Sequence, residues 1–362
     1  MTDPLTDLSE FHDELRTVAR GLLGRSGHDR SVDWESISTS GWLGLEVASE
    51  FDGADGTFAE VAVLLREVGR AAARGPYPAV AALSVGALEL LERDSERDRL
   101  LRDTASGCTV PMFVLGGEST GRTPFHLEIA ASGETLRGVA PFVLDVPGAD
   151  RLLVPAREPD GTIVVVDLDP STPGLVVTAQ PVVDATRSFG TVLAEGVAVP
   201  SESVWRFRDD SRQAMQRLHD RAAVAVACDS LGSSEAMLDA TVAYAGMREQ
   251  FGRKIGSFQA VKHACADMLV QVTVARTLVD AAVRSLVSGD PEATTAASMA
   301  KAYSCAAAVD IAGKAMQLHG GMGYTWESGI HVYLKRATLN RSLFGSPALH
   351  RAYLAQRYRS AS

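Results

Sequence analysis

Eight residues of one segment, Val261, Cys265, Met268, Val272, Ala275, Val279, Ala282 and Leu286, follow one another at alternating steps of four and three. That spacing puts all eight on one stripe of an α-helix, and a stripe of this length must be buried against other helices. Ser257 is the expected N-cap and Ser288-Gly289-Asp290-Pro291 the expected stop. A second, alanine-rich helix is predicted from about Glu292 to Leu318, ending at Gly320-Gly321 as a helix with a glycine C-cap does. Residues 209–362 are therefore expected to form a helical bundle. Such stripes specify core or subunit interface and carry little chemistry.

The preceding chain divides in two. Residues 1–105 are expected to be helical: Phe58–Ala73 is dense in Ala, Val, Leu, Glu and Arg, and Gly75-Pro76-Tyr77-Pro78 interrupts the pattern before another helical stretch. Upstream lie Gly41-Trp42-Leu43-Gly44 and the turn-rich Phe51-Asp52-Gly53-Ala54-Asp55-Gly56. Residues 106–208 change character. Short β-rich runs recur at Thr109–Val114, Leu127–Ala131, Arg151–Pro155, Thr162–Leu168, Leu175–Thr178 and Thr191–Val199, punctuated by Gly, Pro and Asp. The expected fold class is α+β, mainly α: an N-terminal helical domain (1–105), a central β-barrel or sandwich domain (106–208) and a C-terminal four-helix bundle (209–362).

With 362 residues the chain can bury a large core, and its net charge of -10 argues against nucleic acid and anionic membranes as partners. A phosphate-bearing ligand would need a locally basic pocket. No N-terminal apolar h-region and no apolar run of membrane-spanning length is present, so a cytoplasmic location is expected. Cys108, Cys228, Cys265 and Cys305 are widely spaced among apolar neighbours, without a CxxC pair. They are expected to be reduced core thiols, and no metal site is expected.

Two segments of the last block carry a specific signal. Arg248-Glu249-Gln250-Phe251-Gly252-Arg253-Lys254-Ile255-Gly256-Ser257-Phe258-Gln259 has the form R-x-x-F-G…I…F-Q, and Gln317-Leu318-His319-Gly320-Gly321-Met322-Gly323-Tyr324 has the form Q-x-x-G-G-x-G-[FY]. Paired in this order, behind helical and β-rich blocks, they resemble the acyl-CoA dehydrogenase family. Gly41-Trp42-Leu43-Gly44 and Glu67-Val68-Gly69-Arg70 are similar to that family's N-terminal helical domain. The resemblance covers most of the chain and is poorest in the β block.

The resemblance implies FAD, bound across a subunit interface, with Arg248, Gln250, Phe251, Phe258, Gln259, Gln317, His319, Gly320 and Gly321 on the pyrophosphate and adenine side of a neighbour's cofactor. The residue types suit that task. An arginine fork matches phosphate oxygens, Phe251 packs on apolar parts of the cofactor, and glycines let backbone approach a ligand closely. Gln317 is expected to hydrogen-bond across the interface. The plain alternatives are a surface ion pair for Arg248 and a simple helix end at Gly320-Gly321.

The family's reaction removes an α-proton and a β-hydride from an acyl thioester, with the hydride passing to the flavin and a carboxylate acting as base. An ungapped count from Gly320-Gly321 puts Phe344 where the family's usual glutamate stands, followed by Gly345 and by Ser346 in place of Thr. The 35 residues after Glu327 contain no Asp or Glu, so no carboxylate is available to take that place. The family's other base location falls on Ala222. Asp220, two residues earlier, matches a substrate-contacting Asp of relatives and is the one candidate for a relocated base; a solvated or capping Asp is its plain reading. Gly345 is the second candidate substrate contact.

In the β block, Val114-Leu115-Gly116-Gly117-Glu118-Ser119-Thr120-Gly121 stands in place of the family's T-E-P-x-A-G-S-D loop. Ala140-Pro141-Phe142-Val143-Leu144 replaces its K-x-W-I-T strand, and Leu144 cannot hydrogen-bond a flavin ring.

The grip for the phosphates is kept while the ring and base positions are lost. That asymmetry resembles the non-catalytic subunit of bacterial α2β2 acyl-CoA dehydrogenases acting on steroid side chains and other bulky acids. It implies an acyl-CoA substrate, a paralogous dehydrogenase subunit or else a homo-oligomer, and an acceptor such as an electron-transfer flavoprotein. Lys335, Arg336, Arg341, Arg351, Arg357 and Arg359 form an acid-free basic stretch that suits docking to an acidic partner surface or CoA phosphates, or else a solvated helix face. Two other readings stay open: a self-sufficient homotetramer with a relocated base, and a degenerate member that binds acyl-CoA or a partner without redox chemistry.

Overall fold

The computed structural model describes residues 4–24, 30–117, 123–130, 133–325 and 327–360. In chain order its main elements are helices α1 (Pro4–Leu23), α2 (Phe58–Ala71) and α3 (Ser95–Ala105). Strands β1 (Pro111–Phe113), β2 (Phe125–Ala130), β3 (Gly133–Leu144), β4 (Arg151–Arg157), β5 (Ile163–Leu168), β6 (Leu175–Gln180), β7 (Phe189–Val199) and β8 (Val204–Arg206) follow. Helices α4 (Ser211–Met247), α5 (Gln259–Ser288), α6 (Ala293–His319), α7 (Ile330–Ser342) and α8 (Pro347–Ser360) complete the chain. The fold is thus mainly helical with a central sheet, as expected. Its residues gather in two compact units: a helical unit of Met1–Ser31, Ala62–Ala73 and Ala223–Ser362, and a sheet unit of Val32–Val61 and Arg74–Ala222.

In the sheet unit the strand order is β6-β7-β3-β2-β4-β5-β8, with β1 pairing in parallel to β4. Each predicted β run is a strand to within a few residues, Ala131 lying outside the described residues. The first part of β3 is not legible as a strand because Gly133, Gly138 and Pro141 signal turns. Here they serve bulges instead: the β3–β7 register shifts between Leu136 and Arg137 and again between Ala140 and Val143. At Gly138 (φ 150°) a Cβ would lie 2.5 Å from the Pro124 carbonyl oxygen. Leu152–Val154 of β4 and Val164–Val166 of β5 are fully buried, as in a sheet covered on both faces. In the same unit Arg221 forks onto Glu46 at 2.7 and 2.6 Å, and its Nε donates to the Ala82 carbonyl at 2.9 Å. That carbonyl belongs to a π-helical turn, Val80–Val85, which leaves backbone acceptors for the arginine.

In the helical unit α6 packs against α5, α7 and α8. The stripe of α5 faces inward at Met268, Val272, Ala275, Val279 and Ala282, while Val261, Cys265 and Leu286 at its ends are half-buried. Its start differs from expectation. Phe258 occupies the N-cap, and the Ser257 hydroxyl donates to the Lys254 carbonyl at 2.7 Å instead. Its stop is as expected, with Gly289 at φ 65°. Where α2 meets α4, a Cβ on Gly69 would lie 2.1 Å from the Asp229 carbonyl oxygen, so the two backbones approach as only glycine permits.

Two expectations are corrected here. Arg336 is fully buried and donates to Asp229 from Nε at 2.9 Å, so it belongs to the core and not to a basic surface. Arg357 pairs with Glu292, Lys335 is half-buried, Arg341 and Arg351 are exposed, and the Arg359 side chain lies outside what the structure describes. Of the cysteines, Cys228 and Cys305 are buried, Cys265 is half-buried and Cys108 is exposed, so the last is not a core thiol. Burial pushes the Cys228 thiol up to about 12, which keeps it protonated and inert. Among the described residues no helix is long and apolar enough to cross a membrane.

Candidate functional site

The first motif folds as a hairpin. Glu249–Gln250 pairs with Arg253–Lys254, and the two residues at the tip, Phe251 and Gly252, have φ 54° and 75°. Positive φ at both central positions is the type I′ pattern, for which Asn-Gly is the favoured pair. A phenylalanine there is strained, and this one is 91 % exposed. Its ring meets the edge of Phe258 at 6.2 Å, with the Arg253 guanidinium over the Phe258 ring at 4.1 Å. Arg248, Gln250 and Gln259 are exposed, and among the described residues no carboxylate lies within ion-pair distance of the Arg248 guanidinium. A strained, exposed aromatic beside an unpaired arginine is a poor arrangement for an isolated chain and a good one for contacting a ligand.

The second motif ends α6. Gln317, Gly320 and Gly321 are exposed, and no atom outside the local backbone comes within 4 Å of where a Cβ would stand on either glycine. Gly320 has φ 59° and ψ -136°, a conformation that side chains resist. His319 is buried and stacks on Tyr244, with centroids 4.4 Å apart and planes 23° apart. Tyr244 in turn accepts the Arg248 N–H on its carbonyl at 2.9 Å. The two motifs, far apart in sequence, are joined by this ring pair. Tyr244 was not singled out by the sequence; the signal available was its place one helical turn before Arg248.

Phe344, which the ungapped count puts where a base is expected, is 2 % exposed and has φ 51°. Its carbonyl meets His350 Nε2 at 2.9 Å. A carbonyl only accepts, so Nε2 carries the proton, and Nδ1 faces the Ser298 hydroxyl at 3.1 Å. Gly345 (φ 96°) offers its carbonyl to Lys301 Nζ at 2.9 Å. The same ammonium reaches the carbonyls of Asn340 (3.0 Å) and Arg341 (3.3 Å) at the end of α7. Lys301 is fully buried, and burial holds its pKa below the usual lysine range. Phe344-Gly345-Ser346 is therefore a latched, apolar turn with no carboxylate in it.

In the sheet unit Asp220 is buried and accepts a hydrogen bond from Gln216 Nε2 at 2.9 Å, while Ala222 is a buried methyl. Of the loop Val114–Gly121, residues 118–121 lie outside the described residues. In β3 the Phe142 N–H donates to the Gln180 side chain at 2.8 Å, its carbonyl accepts from Gly117 N–H at 2.7 Å, and Leu144 is buried. The backbone N–H and carbonyl of Phe142 are thus both occupied.

Residues 211–358 match the family model described as acyl-CoA dehydrogenase, C-terminal domain. Acyl-CoA dehydrogenase IpdE2 of Mycolicibacterium smegmatis is 31 % identical over 357 residues, covering 96 % of this chain and 94 % of that one. The chain belongs to the acyl-CoA dehydrogenase family. Solved structures agree in fold. The ChsE4-ChsE5 complex of Mycobacterium tuberculosis aligns with TM-score 0.85 at 24 % identity, over 99 % of this chain and 98 % of that one. A Tcur3481-Tcur3483 steroid ACAD variant aligns with TM-score 0.86 at 24 % identity, over 98 % and 100 %.

Acyl-CoA dehydrogenases depend on FAD. The exposed Arg248 fork and the uncluttered Gly320-Gly321 turn suit its diphosphate; the occupied Phe142 backbone and the Leu144 side chain do not suit its ring. The hairpin tip gives a direct test of a ligand role. Phe251→Asn removes the backbone strain, and the isolated chain is expected to gain about 1 kcal/mol in urea unfolding. A variant that loses stability instead would show that Phe251 is held by the chain's own packing.

Proposed function

We propose that this chain is one subunit of a hetero-oligomeric, FAD-dependent acyl-CoA dehydrogenase. It grips the phosphate side of the cofactor, and a paralogous partner supplies the flavin-ring site and the base. FAD, when bound, supplies the hydride acceptor for α,β-dehydrogenation of an acyl-CoA thioester. Arg248 takes the diphosphate, with Gln250, Gln259, Gln317, His319, Gly320 and Gly321 around it, and Phe251 and Phe258 cover its apolar parts. Asp220 and Gly345 remain the candidate substrate contacts. The observation that carries the reading is the latched, carboxylate-free turn at Phe344, in a chain whose Arg248 hairpin is exposed and unpaired.

The likeness to a complex of two different chains, ChsE4 and ChsE5, supports a two-component enzyme, and the steroid ACAD supports a bulky acyl group. An electron-transfer flavoprotein is the proposed electron acceptor. Co-expression with an adjacent dehydrogenase gene product should yield a yellow complex that oxidises acyl-CoA. Arg248→Ala in this chain should lower its flavin content by about tenfold, the loss of one charge-assisted phosphate contact. If the chain alone purifies with one FAD per subunit and oxidises acyl-CoA, the two-component reading fails and a relocated base such as Asp220 takes its place. Acyl-CoA binding with no flavin in any preparation would instead mark a degenerate, non-redox member.

A further inference from the structure

The hairpin is anchored at its base. Arg248 N–H donates to the Tyr244 carbonyl at 2.9 Å, and Ile255 N–H donates to the Arg248 carbonyl at 2.8 Å. Across from this, a Cβ on Gly256 would sit 2.9 Å from the Ala245 carbonyl oxygen, so the turn Ile255–Ser257 that follows the hairpin lies against the last turn of α4. These contacts fix the hairpin to α4 and say nothing of α6. Deeper in the unit Ser230 of α4 meets Cys305 of α6 at 3.4 Å; beside the hairpin, the contact with α6 is the Tyr244 ring on His319.

His319 is itself held. Its Nδ1 lies 2.8 Å from the Ala315 carbonyl, which can only accept, so Nδ1 carries the proton and the ring plane is fixed one helical turn below the Gly320-Gly321 turn. Tyr244 is therefore tied through its carbonyl to Arg248 and through its ring to the residue before Gly320.

We propose that Tyr244 is a positioning residue for the dinucleotide phosphates. It touches no ligand; its stack on His319 sets how far the Arg248 guanidinium stands from the Gly320-Gly321 backbone, and hence whether both can hold one diphosphate. A phenyl ring does this as well as a phenol, because the contact is between ring faces. An aliphatic side chain of similar volume fills the space without fixing the ring-to-ring distance.

The proposal rests on the reading that the two motifs grip a diphosphate, so its test separates the two. ADP is titrated calorimetrically into the full-length chain and four variants: Arg248→Ala, Tyr244→Phe, Tyr244→Leu and Tyr244→Ala. Binding by the chain, lost in Arg248→Ala, supports the grip. Against that background Tyr244→Phe is expected to bind within about twofold, while Tyr244→Leu and Tyr244→Ala weaken ADP by about tenfold, the scale of one aromatic pair. Rescue by Phe and not by Leu, at equal melting temperatures, is a pattern that general destabilisation does not produce. If Tyr244→Leu binds like the parent while Arg248→Ala does not, the grip stands and the positioning role falls. If the parent does not bind ADP, or Arg248→Ala binds unchanged, the grip itself is wrong and the proposal falls with it.

Discussion

Replacing Asp229 with alanine should destabilise the protein by about 3–5 kcal/mol, because it strands a buried cation. Arg336 is fully buried, and Asp229 is its charge partner, receiving Nε at 2.9 Å and Nη2 at 2.5 Å. Asn340 Nδ2 donates to the same carboxylate at 2.7 Å. Without Asp229 the guanidinium keeps its bond to the Ala73 carbonyl (2.9 Å) but loses the carboxylate that it forks onto. Fully buried Lys301 bonds to the carbonyl of the same Asn340, so the polar cluster has little water to replace the lost carboxylate.

The cost arises from the orphaned charge rather than from the worth of the pair, and a double variant separates the two. Asp229→Leu with Arg336→Met removes both charges and fills the volume, so it should recover most of the loss. Urea unfolding reads both effects as a shift of midpoint at constant slope. With total stabilities of about 5–15 kcal/mol typical of folded proteins, the single variant should also express poorly. A single-variant loss below about 1 kcal/mol would mean that water reaches Arg336 and that this cluster is not part of a dry core.

How far the sequence carries depends on whether a signal is local. The α5 stripe was legible because burial on one face writes a period into consecutive residues, and Gly289 and Gly320 mark helix ends through their own backbone angles. The paired motifs at Arg248 and Gln317 were legible as residue types, but not the ring pair that joins them, since Tyr244 and His319 meet only after α5 and α6 have folded back. The first part of β3 was hidden by glycines that read as turns and act as bulges. Arg336 was misplaced because a count of charges is blind to burial, and its partner Asp229 is 107 residues away. A clue did exist: Asp229 interrupts the apolar run Ala222–Cys228 of α4, and an acid in such a run requires a counter-charge.

Phe344→Glu should fail to turn this chain into a self-sufficient dehydrogenase, and should cost it stability in a pH-dependent way. The site is 2 % exposed, its carbonyl is held by His350 and the next carbonyl by Lys301, so the turn has little freedom to swing a carboxylate toward water. Burial raises the pKa of a glutamate placed there above its unfolded value of about 4.3. Between those two pKa values the unfolded chain has released a proton that the folded chain keeps, so stability falls as pH rises through that window and levels off above the folded pKa. At neutral pH the loss should reach about 3 kcal/mol or more, against a much smaller one near pH 4. Phe344→Gln, which cannot ionise, should lack that pH dependence, which distinguishes the buried charge from lost packing. No acyl-CoA oxidation is expected from the variant alone, since a base cannot act without a flavin ring held beside the substrate. The outcome that would reverse the proposed division of labour is a Phe344→Glu chain that folds as well at pH 7 as at pH 4, purifies yellow on its own and turns over acyl-CoA. In that case the ring site would already be present in this chain, and only the base would have been lost.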